Sequence, residues 1–294
     1  MLPVRDEADI IGQCLRHLLA WADAIYVFDT GSSDDTWEIV QQFAAEDRRV
    51  APLRKDAVFF SDKRVRGWMF HQARRRMREG DWFLRVDADE FHHVWPPDFV
   101  RTRMREHDTI AYHQYYDFQL TSSEVKDWEQ GTETLEDRKR PIEDRRRWFI
   151  PSVYTEPRLC RYRESMRWPE EVSFPYNAGY VAVARLPIRH YPHRDPEQLA
   201  LRCALRARML AGLENAGSHH WAQGNWRQHI VPDNSPGLQY WKPATELPEL
   251  PLRNHLAPFP KRAIQRLAHA WFLPLLDNCR ARYPDSAYPQ RIPW

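Results

Sequence analysis

The chain has 294 residues, of which 43% are hydrophobic, enough apolar material to bury one large core or two smaller ones. Lysine and arginine together number 43 and aspartate and glutamate 41, so the formal net charge is only +2. This balance argues against a dedicated nucleic-acid-binding protein, which normally carries a strong basic excess. We therefore expect a globular protein with no nucleic acid among its partners.

Cysteine spacing and the first residues indicate the compartment. The four cysteines form no CxxC pair or other zinc-binding spacing: Cys14, Cys160, Cys203 and Cys279. Isolated, reduced thiols are typical of cytosolic proteins. Residues 1–7 contain acidic side chains where a secretory signal peptide needs an apolar run, and no stretch reaches the length of a membrane-spanning helix. We predict a soluble, cytoplasmic protein, with contact at a membrane surface left open.

Residues 1–90 alternate between helical and strand-like patterns. Apolar residues recur at helical spacing over 10–19. Short apolar runs at 24–28, 50–53 and 82–86 are typical of buried strands. Strands that alternate with helices predict an α/β fold, with a mostly parallel sheet and right-handed crossovers.

Two acidic segments follow predicted strands. One begins at Asp29 and is rich in turn-forming residues, and the other contains Asp87, Asp89 and Glu90. Ligands of parallel α/β sheets bind beyond the carboxyl ends of the strands, so both segments are expected in one crevice. Carboxylate oxygens are ligands that Mg²⁺ and Mn²⁺ prefer, and such a cation stabilises a diphosphate leaving group.

The chain after the second acidic segment is less regular. Residues 121–147 are highly charged and poor in aliphatic side chains, which predicts a long loop. Residues 195–198 (D-P-E-Q) predict the start of a helix. We predict one domain over 1–213 and an aromatic- and proline-rich helical extension over 214–294.

The predicted domain over 1–213 has two halves. Residues 1–91 form the nucleotide-binding half. Residues 92–213 form the half for the acceptor and the metal, and this half contains the charged loop 121–147.

Residues 261–276 predict an amphipathic helix. The apolar residues share one face, and Lys261, Arg262 and Arg266 lie near the beginning. A basic helix of this kind suits an anionic membrane surface, and its apolar face equally suits packing against the main domain or a second subunit. The sequence leaves peripheral membrane contact and core packing as alternatives.

Three motifs resemble those of the family 2 glycosyltransferases, which have the GT-A (Rossmann-like) fold. Residues 4–11, V-R-D-E-A-D-I-I, resemble the V-R-N-E-A run after the family's first strand. Residues 28–36, F-D-T-G-S-S-D-D-T, are similar to its D-x-G-S-x-D-x-T loop, and residues 80–91, G-D-W-F-L-R-V-D-A-D-E-F, to its G-D-W-x-x-x-x-D-A-D-E-F segment. Residues 190–198, H-Y-P-H-R-D-P-E-Q, resemble the H-Y-x-x-R-S-x-E-Q run of a polysaccharide-related branch. Three motifs in order are far more specific than any one alone.

The resemblance implies roles for individual residues. Asp29 would contact the nucleotide base, and Arg5 and Glu7 would line the nucleotide pocket. Asp87 would face the ribose, and Asp89 would bind the metal, Mn²⁺ or Mg²⁺.

One histidine completes the implied metal site. His190 matches a late histidine that is often a metal ligand in GT-A enzymes, and neutral imidazole is a suitable ligand for manganese. A purely structural histidine is the alternative, and His193 is a rival three residues later.

The sequence determines the identity of the general base less closely than that of the other site residues. An inverting transfer needs a carboxylate that takes the proton from the acceptor hydroxyl. Residues 158–172 resemble a degenerate R-L-F-R-R…W-x-x-x-V-H-E segment, but Ser173-Phe174 stands where the relatives carry His-Glu. Glu170 and Glu171 are the candidate bases, with a solvated surface pair as the alternative.

The function implied by the resemblance is metal-dependent, inverting transfer of a sugar. The donor would be a nucleoside-diphosphate sugar and the acceptor a glycan or lipid-linked saccharide, as in polysaccharide synthesis. A non-catalytic sugar-nucleotide-binding protein is an alternative, because Ser173-Phe174 departs from the family pattern. A phosphatase with a DxD motif is less favoured, since such enzymes place Thr or Val where this chain has Phe91.

Overall fold

The computed structural model describes residues 1–58, 63–170, 172–210, 225–250, 255–271, 275 and 288–289. The chain divides into two compact units. The first unit comprises Met1–Gln114, Val153–Ile188 and Pro251–Trp294, and the second comprises Tyr115–Ser152 and Arg189–Leu250. The predicted boundaries after residues 91 and 213 differ from this division, because strands that are distant in the sequence pair within one unit.

The strands and helices of the described residues are numbered in chain order. The strands are β1 Leu2–Val4, β2 Ile25–Asp29, β3 Val50–Lys55, β4 Trp82–Leu84, β5 Glu90–His92, β6 Ile110–Phe118, β7 Trp148–Pro151, β8 Pro157–Arg161, β9 Val181–His190 and β10 Gln239–Tyr240. The α-helices are α1 Ile11–Leu19, α2 Thr36–Glu46, α3 Lys63–Ala73, α4 Pro96–Arg103, α5 Ser122–Glu129, α6 Ile142–Arg145, α7 Pro196–Leu210 and α8 Phe259–Trp271. The strands predicted at 24–28, 50–53 and 82–86 are confirmed, with small shifts at their ends.

A parallel sheet of three strands begins the first unit. β2 pairs with β1 and with β3, both in parallel, and Val4 is the partner of Asp29 in this register. β2 is buried along its whole length, which explains its unbroken apolar run. The first segment of the chain and the loop after β2 therefore lie side by side.

Beyond this three-stranded sheet, several strand pairs are antiparallel. In the first unit β8 pairs with β4 and with β6, and in the second unit β7 pairs with β6 and with β10. The regular alternation of strands with helices ends after β4, and antiparallel strands need no crossover helix. The alternation of strands and helices in residues 1–90 therefore could not predict how the later strands pair.

The core of the first unit is rich in aromatic rings. Phe70 of α3 lies between 5.3 and 6.1 Å from the ring centres of Phe83, Tyr162 and Trp168. Met69, on the same helix, belongs to an apolar cluster with Phe28 of β2. Since buried aromatic side chains contribute strongly to packing, α3 fixes both β2 and the segment around Trp168.

The charged segment 121–147 is largely helical, so its prediction as a long loop was wrong. Thr121 and Glu124 form a capping box at the start of α5: the Glu124 N–H donates to Thr121 Oγ1 at 3.4 Å and the Thr121 N–H to Glu124 Oε2 at 2.8 Å. The segment lacks an apolar stripe because ion pairs and not apolar contacts hold much of it in place.

Buried arginines hold this segment in place within the second unit. Arg145 and Arg146, whose side chains are each 1% exposed, both form ion pairs with Glu133. Arg138 and Arg145 also contact Asp195, which precedes α7. Buried charges of this kind are tolerated only when they are paired and hydrogen-bonded.

The helix start predicted at residues 195–198 is confirmed. Pro196 is the first residue of α7, and Oδ1 of Asp195 accepts a hydrogen bond from the Gln198 N–H at 2.9 Å. Burial opposes ionisation of Asp195, but hydrogen bonds from Arg138 and Gln198 outweigh it and lower the pKa to about 2. The carboxylate therefore caps α7 in its charged form.

α8 confirms the first part of the predicted helix over 261–276. Residues 272–274 and 276 lie outside the described residues. Of the helices that the structure describes, none combines the length and the apolar character that crossing a bilayer requires.

Stability is expected to decrease in mild acid because His92 is buried. Its ring packs against His17, Trp21 and His113, and neither ring nitrogen has a hydrogen-bond partner among the described residues. Burial, followed by the charges of His17 and Arg158, lowers the pKa of His92 well below its usual range. The unfolded chain therefore takes up a proton that the folded chain resists, and stability falls as the pH drops below about 6.5.

Thermal unfolding of His92→Phe tests this expectation. The drop in unfolding temperature between about pH 7 and about pH 5 should be smaller than in the unsubstituted chain. It should not vanish, because burial also lowers the pKa of His113. His107→Phe is the matched control, since that side chain is 33% exposed. An identical pH dependence in His92→Phe and the unsubstituted chain would contradict the assignment.

Candidate active site

The loop after β2 is held in shape by the side chain of Asp29. Its Oδ1 accepts hydrogen bonds from the N–H groups of Gly31 at 2.8 Å and Ser32 at 2.6 Å. Gly31 has a φ of +101°, and a Cβ there would lie 2.9 Å from the Cα of Ala57. Both the positive φ and the close backbone approach require glycine, so the sequence fixes a tight turn at the end of the strand.

The second carboxylate oxygen of Asp29 is buried and has no hydrogen-bond partner within the described residues. Burial raises the pKa of Asp29, and the N–H groups of Ser32 and Gly31 oppose that increase. A buried acceptor left without a donor costs about 1–3 kcal/mol. Oδ2 is therefore suited to accept a hydrogen bond from an N–H of a bound ligand.

Arg5 and Glu7 lie beside this turn. The Arg5 guanidinium donates from Nη1 to the Thr30 carbonyl at 3.1 Å, and the Glu7 N–H donates to Thr36 Oγ1 at 2.8 Å. The structure thus brings together three of the residues predicted to bind the nucleotide: Arg5, Glu7 and Asp29.

The second acidic segment forms a turn after β4. The Val86 N–H donates to the Met1 carbonyl at 3.0 Å, so the residues that follow β4 lie beside the start of β1. Glu90 is 1% exposed, and its Oε2 accepts a hydrogen bond from the Asp87 N–H at 3.0 Å. Glu90 therefore closes the turn, whereas the side chain of Asp87 remains 41% exposed.

A cluster of charged side chains holds Asp87. Nη2 of Arg158 lies 2.9 Å from Asp87 Oδ2 and 2.9 Å from Glu90 Oε1. Glu156 bridges this guanidinium and that of Arg85, at 2.5 Å and 2.6 Å respectively. The surrounding protein disfavours a charged Asp87, but the positive charges of Arg158 and Arg85 outweigh this and lower its pKa to about 2. Asp87 is thus an ionised acceptor in a fixed orientation.

Asp89 is 3% exposed. Burial raises the pKa of the Cys14 thiol well above its usual range, and the charges of Asp89, Glu90 and Glu7 raise it further. Asp87, Asp89 and Glu90 place three carboxylates within four residues, a concentration of negative charge that favours a cation.

The residues present fit a divalent cation only if the ligand supplies further oxygens. Within the described ranges no group of three or more His, Cys, Asp or Glu residues converges as a metal site. Mg²⁺-type sites often use one or two carboxylates together with substrate phosphates instead of a cage made by the protein alone. Asp89 suits this arrangement, because its oxygens are hard ligands next to an exposed, ionised Asp87.

His190 is the last residue of β9 and belongs to the second unit. Its Nδ1 lies 2.7 Å from Asp117 Oδ1, and its ring centre is 5.7 Å from that of Tyr115. A carboxylate that fixes one imidazole nitrogen is typical of metal-binding histidines. His193, the rival, packs against the ring of His229, and burial lowers its pKa well below the usual range.

The predicted base is not established by the structure. Oε2 of Glu170 forms an ion pair with Nε of Arg64 at 2.9 Å, and the two side chains are 38% and 34% exposed. Glu171 lies outside the described residues. The Ser173 carbonyl, at the departure from the family pattern, accepts a hydrogen bond from Arg85 Nη1 at 3.2 Å.

The sequence interpretation missed the roles of Arg85, Glu156 and Arg158. One signal was available: Arg85 interrupts the apolar run 82–86, and a charged residue in a buried strand needs a partner. The identity of that partner could not be read from the sequence, because the partners are far apart in it.

Comparisons with known proteins bear on this site. The sequence matches the family described as Glycosyl transferase family 2 over residues 1–164. No curated protein matches the chain. Among solved structures, it is similar to the mannosyltransferase PcManGT from Pyrobaculum calidifontis in complex with GDP-Man and Mn²⁺, with a TM-score of 0.34 and 13% identity. The alignment covers 71% of this chain and 60% of the mannosyltransferase, so it spans less than two thirds of that protein.

The family match agrees with both the motifs and the architecture. The 164 matched residues are more than half of the chain and include both acidic turns, after β2 and after β4. The parallel strands β1 to β3 with their helices conform to the α/β, GT-A class that the resemblance implied. The chain belongs to glycosyltransferase family 2.

Proposed function

We propose that this chain is a metal-dependent glycosyltransferase that transfers a sugar, with inversion, from a nucleoside-diphosphate sugar to a glycan or lipid-linked acceptor. The observation that carries the proposal is the unsatisfied buried oxygen of Asp29 in the same unit as the ionised Asp87 turn. The start of the chain contacts both segments: β1 pairs with β2, and Met1, just before β1, accepts a hydrogen bond from Val86, after β4. One end of the site is suited to a base N–H and the other to a ribose and diphosphate.

The donor contacts follow from this geometry. Asp29 accepts a hydrogen bond from an imino N–H of the base, and Arg5 and Glu7 line the pocket beside it. Asp87, held by Arg158, accepts hydrogen bonds from the ribose hydroxyls. An acceptor held rigidly in its charged form needs little reorganisation when the donor binds.

Asp89 holds the cation in this proposal, and His190 stays a predicted further ligand. Mn²⁺ or Mg²⁺ would neutralise the charge that develops on the departing nucleoside diphosphate. The carboxylates of Asp87, Asp89 and Glu90 supply the negative field that attracts the cation, and the arginines balance part of that charge.

A carboxylate must take the proton from the acceptor hydroxyl during an inverting transfer. We retain Glu170 and Glu171 as the candidate bases. Glu170 forms an ion pair with Arg64, and Glu171 lies outside the described residues, so both remain candidates.

The proposed acceptor belongs to polysaccharide synthesis. We place the reaction in the cytoplasm, at the inner face of the membrane, where a lipid-linked acceptor is presented and where α8 would make peripheral contact. The acceptor class follows from the family resemblance alone.

Turnover separates this proposal from its alternatives. The purified chain is incubated with sugar nucleotides and Mn²⁺, with and without saccharide acceptors, and release of nucleoside diphosphate is measured. Acceptor-stimulated release supports the glycosyltransferase. Binding without release under all conditions would instead indicate a non-catalytic sugar-nucleotide-binding protein, and phosphate release from a phosphomonoester would indicate a phosphatase.

Substitution of Asp29 is expected to weaken nucleotide binding. Asp29→Asn keeps an acceptor for the Gly31 and Ser32 N–H groups but replaces the unsatisfied oxygen by an NH₂ group. We expect a loss of about 1–3 kcal/mol in binding of the nucleoside diphosphate, the usual cost of a lost hydrogen bond to a charged group. Isothermal titration calorimetry in the presence of Mn²⁺ measures it.

Asp35→Asn is the matched control for this experiment. Asp35 lies in the same loop, is exposed, and makes no side-chain hydrogen bond at the start of α2. Its substitution should leave nucleotide affinity unchanged. An unaltered dissociation constant for Asp29→Asn would restrict Asp29 to shaping the turn.

A further inference from the structure

α8 presents a stripe of large apolar side chains to the solvent. Ile264, Leu267 and Trp271 are 67%, 59% and 76% exposed. Their spacing of three and four residues places them on one face of the helix. Leu275, four residues further, is 62% exposed. A single exposed apolar residue is ordinary, but a contiguous stripe marks an interaction surface.

All the charged residues in this part of the chain are basic. Residues 255–271 contain Lys261, Arg262 and Arg266 and no aspartate or glutamate. Lys261 and Arg266 are exposed. The apolar stripe is therefore accompanied by positive charge that no acidic side chain of its own helix offsets.

The start of the helix is fixed to the first unit. The centre of the His255 ring lies 5.3 Å from that of Tyr112. Nε2 of His255 lies 3.3 Å from the Ala182 carbonyl oxygen. The guanidinium of Arg262 stacks over Tyr180 at 5.6 Å. These contacts hold the beginning of α8 against β6 and β9, while the stripe further along the helix faces away from the core.

We propose that α8 is a membrane-binding surface that lies in the interface of an anionic bilayer. Its apolar stripe would enter the boundary between headgroups and acyl chains, and Lys261 and Arg266 would attract the anionic headgroups. Packing into the core of the protein does not describe these side chains, because they are exposed. A second copy of the chain is a poor occupant, because two helices of the same positive charge repel each other.

Co-sedimentation of the full chain with lipid vesicles tests the proposal. Vesicles of phosphatidylcholine alone are compared with vesicles that also contain phosphatidylglycerol, at about 10 mM and about 150 mM ionic strength. We expect pelleting with the anionic vesicles that weakens as salt increases. Leu267→Glu combined with Trp271→Glu should reduce the partition coefficient about tenfold or more, because charged side chains replace the apolar anchors.

Two further variants show which feature of α8 binds lipid. Lys261→Glu with Arg266→Glu should remove the preference for phosphatidylglycerol. Leu201→Glu on α7 is the matched control, since Leu201 is 51% exposed on a different helix, and it should pellet like the unsubstituted chain.

Three results would overturn the proposal. The first is the absence of lipid-dependent pelleting at low salt. The second is that the Leu267→Glu, Trp271→Glu variant pellets as much as the unsubstituted chain. The third is that the chain binds no lipid, light scattering shows it to be a dimer, and this variant is a monomer. The readout involves no sugar nucleotide. Loss of lipid binding would therefore remove the proposed membrane placement but leave the proposed sugar transfer intact, and loss of turnover would leave the membrane surface intact.

Discussion

Asp89→Asn is expected to lose sugar transfer by about a hundredfold or more, the scale on which an essential electrostatic contact to the reacting group acts. Asparagine has nearly the same shape but lacks the negative charge that would hold a divalent cation next to the diphosphate. The stabilisation that a nucleoside diphosphate and Mn²⁺ confer together should disappear. Thermal unfolding with and without Mn²⁺ measures this effect independently of turnover.

Asp98→Asn provides the matched control for Asp89→Asn. Asp98 is a carboxylate of α4 whose side chain is 54% exposed and pairs with Arg101 on the surface. It should retain both turnover and the response to Mn²⁺. If Asp89→Asn kept an unchanged metal dependence, the assignment of the cation to Asp89 would be wrong.

Arg158→Met is expected to lower the free energy of unfolding by about 3–5 kcal/mol, because removal of one partner leaves buried charges unpaired. The side chain of Arg158 is 4% exposed and contacts Asp87, Glu90 and Glu156. Methionine fills a similar volume but carries no charge, so Asp87 and Glu90 would lose this partner, and Glu156 would keep only its ion pair with Arg85 among those that Arg158 and Arg85 form. Chemical denaturation at neutral pH measures the loss.

Arg161→Met is the control for this substitution, because Arg161 lies on the same strand and its side chain makes, within the described residues, a long hydrogen bond of 3.4 Å to the Gly80 carbonyl. It should cost far less. A small effect of Arg158→Met, similar to that of Arg161→Met, would show that the cluster is not a stabilising feature.

The free energy of unfolding at acidic pH also tests the ion pairs of Arg158 with Asp87, Glu90 and Glu156. Arg158 and Arg85 depress the pKa of Asp87 to about 2 in the folded chain. Asp87 therefore contributes stability above its unfolded pKa of about 4, and this contribution is lost as the pH falls through about 2. The loss of stability over this pH range should be shallower in Arg158→Met. Without the guanidinium, the pKa of Asp87 in the folded chain lies closer to its value in the unfolded chain.

Local sequence patterns predicted the parts of the site that depend on neighbouring residues. The apolar run before Asp29 and the turn-forming residues after it specify a strand and a loop without information from elsewhere in the chain. The same holds for the strand that precedes Asp87. The family resemblance then related these turns to a nucleotide site, which stays a prediction, and the structure places Arg5 and Glu7 beside the turn at Asp29.

Contacts between distant residues could not be predicted in the same way. Arg158 is 71 positions from Asp87, and no periodicity links them. The helices within 121–147 were missed for a related reason: their buried arginines are satisfied by Glu133 and Asp195, which a pattern based on apolar residues does not detect. Ion pairs between residues that are distant in the sequence are therefore the part of the structure that sequence patterns did not predict.

A thermal-shift panel of UDP-, GDP-, dTDP- and CMP-sugars, each with and without Mn²⁺, tests the central claim most directly. A ligand that binds only the folded chain raises its apparent stability by mass action. We expect one nucleotide class to raise the unfolding temperature in a Mn²⁺-dependent manner, and Asp29→Asn and Asp89→Asn to abolish or reduce that shift. If no sugar nucleotide shifted the unfolding temperature with or without the metal, the chain would not be the sugar-nucleotide-dependent enzyme proposed here.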